Sequence, residues 1–257
     1  SSFLSRIIGL LRDRTFTTLF GAGDTFDAFI AAFRIPDIIF NLIVIGALSA
    51  AFIPMFTEKM VAGKDGKKEA YRFALSVLNM MGLCIGFLSI VFMLFTPFFV
   101  SLITPGFSGE KLALTIQLSR IMALQPLLLS VSFVFSGILN SYKRFFAYAL
   151  APILYNLGII AGAVFFVPYV GISGLAWGVV FGALLHVVVQ FPSVLRVGFR
   201  WRAVLVSSKE DWRKLWSMML PRVFALAVQQ TNLLIVTVLG STLLSGSIAA
   251  FHLANNA

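Results

Sequence analysis

Charge is scarce in this sequence. Only 12% of its 257 residues are charged, against about 25% in a soluble domain. Hydrophobic residues make up 59%, and the mean hydropathy is +0.96. A soluble globular protein is excluded on that balance. Cysteine is rarer still: Cys84 stands alone, so it has no internal disulfide partner and no metal-ligand companion, and it reads as a small core residue. The two histidines, His186 and His252, are far apart, which argues against zinc. No GxxxxGK[ST] loop is present to cradle a nucleotide. Long alternating patterns are missing, which argues against a β-barrel. No cleavable signal peptide is visible. No catalytic constellation emerges, so neither an enzyme nor a cofactor is expected.

What the chain does have is long apolar runs. Runs of about 20 residues suffice to cross a bilayer. They predict spans over roughly 1–20, 25–57, 70–102, 112–139, 145–167, 172–195 and 212–239, with an eighth starting near 247. The fold class is all-α, a polytopic transmembrane helix bundle. The breaks carry turn chemistry: GAGD, TPGFSG, NSYKR, VPYVG and GSTLLSGS. Pro36, Pro54, Pro97, Pro126, Pro152 and Pro221 fall within spans, where they kink helices or mark their ends. Gly158, Gly162, Gly174, Gly178 and Gly182 recur at four-residue spacing, which reads as close helix packing. The chain starts within a polar-lined helix and stops in an apolar run, and is expected to be part of a longer protein.

The stretch from Ser5 to Pro54 carries charge where charge is expensive. Arg6, Arg12, Asp13, Arg14, Asp27, Arg34 and Asp37 lie in or at the ends of apolar runs. An ionisable side chain at mid-bilayer costs about 2.5–3.5 kcal/mol on insertion scales. Arg6 and Asp13 are seven apart, as are Asp27, Arg34 and Asn41. Seven residues are close to two turns, so each set shares a face, with members about 10 Å apart. Singly, Arg12 or Arg14 reads equally well as snorkelling to an interface, and Asp24 or Asp27 as capping the second helix. As a set, of both signs and spread along the helices, they read as a wet interior surface. Asn79, Gln117, Arg120, Gln125, Asn140, Asn156, Gln190, Gln229, Gln230 and Asn232 add polarity to other spans. Arginine forks bind phosphate in bidentate fashion. A cationic cavity within a membrane therefore suits an amphiphilic anion.

Basic residues also set the orientation. Lys59, Lys64, Lys67, Lys68 and Arg72 follow the second span, and Lys143 and Arg144 the fourth. Arg196, Arg200, Arg202, Lys209, Arg213 and Lys214 follow the sixth. The opposite loops carry only Lys111. The positive-inside rule then puts the N-terminus in the cytoplasm. The net charge of +10 is mostly this topology signal: membrane lipids are expected partners and nucleic acid is not. The segment 196–214, the longest and most polar, has a mixed amphipathic pattern suited to the interface. It divides an N-terminal lobe, 1–206 with a cytoplasmic loop at 196–211, from the start of a second unit at 207–257. Arg222, LGS at 239–241 and SIAAF at 247–251 faintly echo Arg6, FGAG and DAFIAAF, as an internal repeat would.

The run SRIIGLLRDRTFTTLFGAGDTFDAFIAAFRIPDIIFNLIVIGALSAAFIP resembles the start of the MurJ (MviN) lipid II flippases, of the multidrug/oligosaccharidyl-lipid/polysaccharide exporter superfamily. The pieces that carry it are SRxxGxxRD, FGAGxxxDAFxxAFRxP and GAxSxAFIP. Later pieces agree: APxxxN at 151–156, GxxGLAWGxxxG at 171–182, and LPR with QQTN within 220–232. The resemblance implies fourteen helices in two lobes around a central cavity, of which this chain supplies the first six, the seventh and part of the eighth. It implies transport of lipid-linked peptidoglycan precursor across the bacterial cytoplasmic membrane by alternating access, with cell-wall synthesis proteins as further partners. The family's substrate-binding residues fall on Ser5, Arg6, Arg12, Asp13, Asp27 and Asn156, with Arg34 at a basic family position. Phe40 and Asn41 stand where many members carry an arginine pair, and Asn256 where many carry an arginine in the eighth helix. Lipid II or a related polyprenyl-pyrophosphate glycan is the expected substrate. A non-transporting scaffold of the same fold is the rival from a different class.

Overall fold

The computed structural model describes residues 2–21, 23–45, 51–205 and 208–256. Its elements are helices throughout, and no strand occurs among the described residues. In chain order they are α1 (Ser2–Phe20), α2 (Asp24–Ile39), α3 (Ile53–Val61), α4 (Gly66–Leu94), α5 (Thr96–Ile103), α6 (Gly109–Met122) and α7 (Gln125–Ser141). Then follow α8 (Phe145–Ala161), α9 (Val167–Val170), α10 (Ser173–Val188), α11 (Phe191–Arg196), α12 (Lys209–Ser241) and α13 (Ser247–Asn256). Two π-helical turns, Phe40–Ile45 and Gly162–Phe166, extend α2 and α8.

Five helical stretches are long and apolar enough to cross a membrane: Gly66–Leu94, Gly109–Ser141, Phe145–Val170, Ser173–Arg196 and Lys209–Ser241. The chain is a multi-pass membrane protein. α1 and α2 stand apart because they hold the charges, Arg6, Arg12, Asp13 and Arg14 in one and Asp24, Asp27, Arg34 and Asp37 in the other. Large apolar side chains such as Phe87, Phe98, Phe146, Phe165 and Phe224 are exposed on the outside, as lipid-facing surface requires.

Proline explains most of the segmentation. Pro54, Pro97, Pro126, Pro168 and Pro192 stand in the first turn of α3, α5, α7, α9 and α11, where a missing N–H costs nothing. The spans expected over 70–102 and 112–139 are each split in this way, at Phe95 and at Ala123–Leu124. Pro36 lies inside α2 and withholds the N–H that would bond the carbonyl of Ala32. Ser119 of α6 supplies the substitute: its hydroxyl donates to Ala32 O at 3.4 Å. The expected span over 25–57 is thus a kinked α2, a π-helical turn and α3, with residues 46–50 between them outside the described residues.

In lipid, helices associate through close packing and interhelical hydrogen bonds. The recurring glycines provide the first. A methyl group on Gly158 would stand 2.4 Å from Gly182 Cα, and one on Gly162 would stand 2.3 Å from Gly178 Cα. The backbones of α8 and α10 are therefore in contact. The second is a buried chain between α7, α10 and the turn that follows α10: Ser132 Oγ lies 2.6 Å from His186 Nδ1, Gln190 Nε2 donates to Ser132 Oγ at 2.6 Å, and Ser136 donates to Gln190 Oε1 at 2.8 Å. Two aromatic-rich cores fill the rest. One gathers Phe52, Phe56, Phe73, Ile85 and Ile138 around α3, α4 and α7; the other gathers Phe16, Phe26, Phe29, Leu118 and Ile159 around α1, α2, α6 and α8.

The segment after α11 begins without helix. Residues 197–205 form a non-helical strap laid along α4. Asn79 donates to Arg202 O and Val204 O, both at 2.9 Å, and accepts from Trp201 Nε1 at 2.9 Å; Ser76 donates to Leu205 O at 2.8 Å. One asparagine so satisfies backbone that a strap in this position exposes. The proposed unit boundary at 206–207 lies outside the described residues. Cys84 is exposed rather than a core residue: it lines an apolar groove between α4 and α12 together with Trp212, Leu215 and Trp216.

Candidate functional site

The charges of α1 and α2 meet in a cavity of about 140 Å³ lined by Arg12, Asp13, Phe16, Arg34, Asp37 and His252, among others. Arg12 is its best-tethered member. Its Nε and Nη2 donate to Asp13 Oδ1 at 2.9 and 2.7 Å, and its Nη1 donates to Asn156 Oδ1 on α8 at 3.0 Å. Neighbours in a helix point about 100° apart, so the long arginine side chain folds across its own turn to reach Asp13. Asn156 is oriented in turn by donating to Pro152 O at 3.0 Å. The floor is aromatic: Phe16 packs edge-on to Phe26 and Phe29, with ring centroids 5.9 and 5.2 Å apart.

Arg34 reaches the later part of the chain. Its Nε donates to Thr237 Oγ1 on α12 at 3.0 Å. Asp37, one turn on, accepts from Asn41 Nδ2 at 2.9 Å. The lining thus carries two guanidinium groups, two carboxylates and one imidazole. Among the described residues that line it, the formal charges balance.

Asp27 does not line this cavity. It is buried at the end of α2, where it accepts from the backbone N–H of Gly246 at 2.8 Å and of Ala249 at 2.9 Å. Gly246 has no side chain with which to cap α13, and Asp27 takes that role. Lys111 donates to the same carboxylate at 2.9 Å and to Asp24 at 2.6 Å, with its ammonium 4.2 Å from the centre of the Phe107 ring. Asp24 is exposed, one residue ahead of the predicted span. The hydrogen bond from Lys111 holds its carboxyl below the usual carboxylate range, helped by one from Ser245. At the opposite end Lys59 pairs with Asp211 at 2.7 Å and Lys214 with Glu58 at 2.6 Å, joining α3 to α12. The seam between the first helices and α12–α13 is therefore fastened at both ends.

Of the residues expected to bind substrate, the structure brings Arg12, Asp13 and Asn156 into direct contact and places Arg34 in the same cavity. Ser5 is half-buried and Arg6 exposed, and neither lines it. Asp37, Thr237 and His252 were not picked out as site residues. Asp37 belongs to the intramembrane charge set, which was its signal; Thr237 and His252 stand in helices with no pattern that marks them.

The family model for the lipid II flippase MurJ matches residues 16–256. A lipid II flippase MurJ of Burkholderia cenocepacia is 33% identical over 263 residues, covering 99% of this chain and 50% of that protein. A probable lipid II flippase MurJ of Haemophilus influenzae is 33% identical over 264 residues, covering 96% and 50%. The chain thus spans about half the length of the curated relatives it matches. Among solved structures, lipid II flippase MurJ in an inward closed conformation superimposes with a TM-score of 0.82 at 27% identity, over 99% of this chain and 52% of that one. An inward-facing multidrug resistance MATE family transporter of the MOP superfamily superimposes with a TM-score of 0.71 at 17% identity, over 97% and 57%, which is a likeness of fold. The expected all-α transmembrane helix bundle is borne out, and the chain belongs to the MurJ family.

Proposed function

We propose that this chain forms the first half of a flippase that moves lipid II across the bacterial cytoplasmic membrane, its N-terminus on the cytoplasmic side. In this reading residues 1–206 are the first lobe and 207–257 begin the second. The observation that carries it is the Arg12 fork, held between Asp13 and Asn156 at the wall of a cavity that α13 closes. Three of the five guanidinium N–H groups serve those bonds. The remaining donors face an incoming pyrophosphate, which takes over charge compensation from Asp13. Asp13 then turns to sugar or peptide hydroxyl and amide groups. Arg34 and Asn156 supply further donors to the headgroup, and Ser5 and Arg6 meet it nearer the start of α1. The polyprenyl tail stays in lipid.

Alternating access follows from the two fastenings. Opening at one end releases Asp27 from α13; opening at the other parts Lys59 from Asp211 and Glu58 from Lys214. A cell depleted of its own flippase and supplied with the full-length protein tests the reading. Arg12→Ala is expected not to support growth, although the protein reaches the membrane. Full rescue by that variant would remove Arg12 from the mechanism and the reading with it.

A further inference from the structure

The cavity draws its ionisable groups from two parts of the chain. Arg12 and Asp13 come from α1, and Arg34 and Asp37 from α2. His252 comes from α13, at the other end of the chain, and is the one ionisable residue in that helix. Its ring stands edge-on to Phe26, with centroids 6.4 Å apart at 81°. The register of α13 is set from α2: Asp27 holds the N–H of Ala249, and one turn later His252 arrives at the cavity.

Among the described residues, the other elements around His252 bring no further charge to the lining. α8 contributes neutral Ile159, and the partners of Arg12 and Arg34 beyond it, Asn156 on α8 and Thr237 on α12, are neutral as well. Asp27, with Lys111, is engaged at the first turn of α13. The balance is then two positive and two negative groups beside one imidazole. A pyrophosphate diester brings two negative charges, and the guanidinium groups have no more charge to give. Imidazole is the side chain whose ordinary pKa lets it gain charge near neutral pH.

Resting on the flippase reading above, we infer that His252 is the second lobe's ligand for the pyrophosphate group and takes up one proton as that group enters. The step is balanced: a proton from water adds to the imidazole, no covalent bond breaks, and the imidazolium N–H donates to a phosphate oxygen. On release of the headgroup the proton returns to water on that side of the membrane. The same contact joins the two lobes across the ligand, with Arg12 on one wall and His252 on the other.

The test is equilibrium binding to the purified full-length protein in detergent. The probe is a polyprenyl-pyrophosphoryl N-acetylglucosamine, a diester whose two charges do not titrate in the range used. Affinity is measured from about pH 5.5 to 8.5, around the ordinary histidine pKa of about 6.5. Uptake of one proton predicts that binding weakens about tenfold per pH unit on the alkaline side. His252→Gln is expected to bind weakly with no such slope, and His252→Arg tightly with none. Arg12→Ala is expected to bind more weakly at every pH and to keep the slope. A wild-type slope in His252→Gln or His252→Arg, or no slope in the wild type, overturns the inference and leaves the flippase reading in place. Failure of the wild type to bind, or binding by Arg12→Ala as tight as the wild type's, sinks the flippase reading and the inference with it.

Discussion

Asp27 accepts a hydrogen bond from the backbone N–H of Ala249 across 222 residues of chain, at 2.9 Å. A carboxylate in the second helix thus serves as the cap of the thirteenth. Because Gly246 has no side chain to do so and holds φ at +88°, Asp27 is the local source of a cap. Asp27→Asn keeps the shape and removes the charge. A hydrogen bond to a charged group contributes about 1.5–3 kcal/mol, so a loss of that size in thermal unfolding is expected. Amide hydrogens at the start of α13 should exchange faster. Unchanged exchange there would show that α13 is held by something else.

Gly178 is predicted to be intolerant. A methyl group at that position meets Gly162 Cα at 2.7 Å and Ile159 O at 3.1 Å. Gly178→Ala should destabilise by about 1–3 kcal/mol through overpacking. Gly82→Ala is the control, since its added methyl meets nothing within 4 Å. It is expected to be neutral or to stabilise by about 0.5–1 kcal/mol, because alanine loses less backbone freedom in a helix. Equal effects at the two positions would refute the packing account.

The pair Pro36 and Ser119 makes a double-mutant cycle. Ser119→Ala alone leaves Ala32 O without the hydroxyl that serves it, at a cost of about 1 kcal/mol. In Pro36→Ala the restored amide reclaims that carbonyl, so adding Ser119→Ala should then cost close to nothing. Additive losses in the two singles would mean that the serine is not compensating for the proline.

The ion pair Lys59–Asp211 fastens α3 to α12. Both side chains are largely shielded, with relative exposures of 22% and 13%. Lys59→Asp places like charges together and should lower the unfolding temperature of the full-length protein. The exchange variant, Lys59→Asp with Asp211→Lys, should recover most of the loss, with a coupling of about 1 kcal/mol. On the alternating-access proposal, the single variant should favour the state open at that end, read as greater labelling of a reporter cysteine placed on α12.

The sequence made some of this plain and hid the rest for physical reasons. Arg12, Asp13 and Asn156 were legible because charge inside an apolar run is costly and needs a partner, and because the motif around them is specific. The glycines of α8 and α10 were legible from spacing alone, since helical period turns a four-residue repeat into one face. Arg34–Thr237 and Asp27–Ala249 were not, because contacts between distant segments leave no period in either. Asn79 misled: in the sequence it looks like one more polar group on a cavity wall, but it bonds the backbone of the strap after α11. Pro36 announced a kink, yet the serine that completes it lies on another helix.

The backbone contact between α8 and α10 bears on how these helices can move. Two helices that touch main chain to main chain have no side chains between them to repack, so sliding one past the other would open a void. Any change of shape is better accommodated elsewhere, and this pair travels as a single stiff beam. Natural variation should follow the same division, freely exchanging Phe146 or Phe165 on the greasy exterior while holding glycine wherever the beam is thinnest.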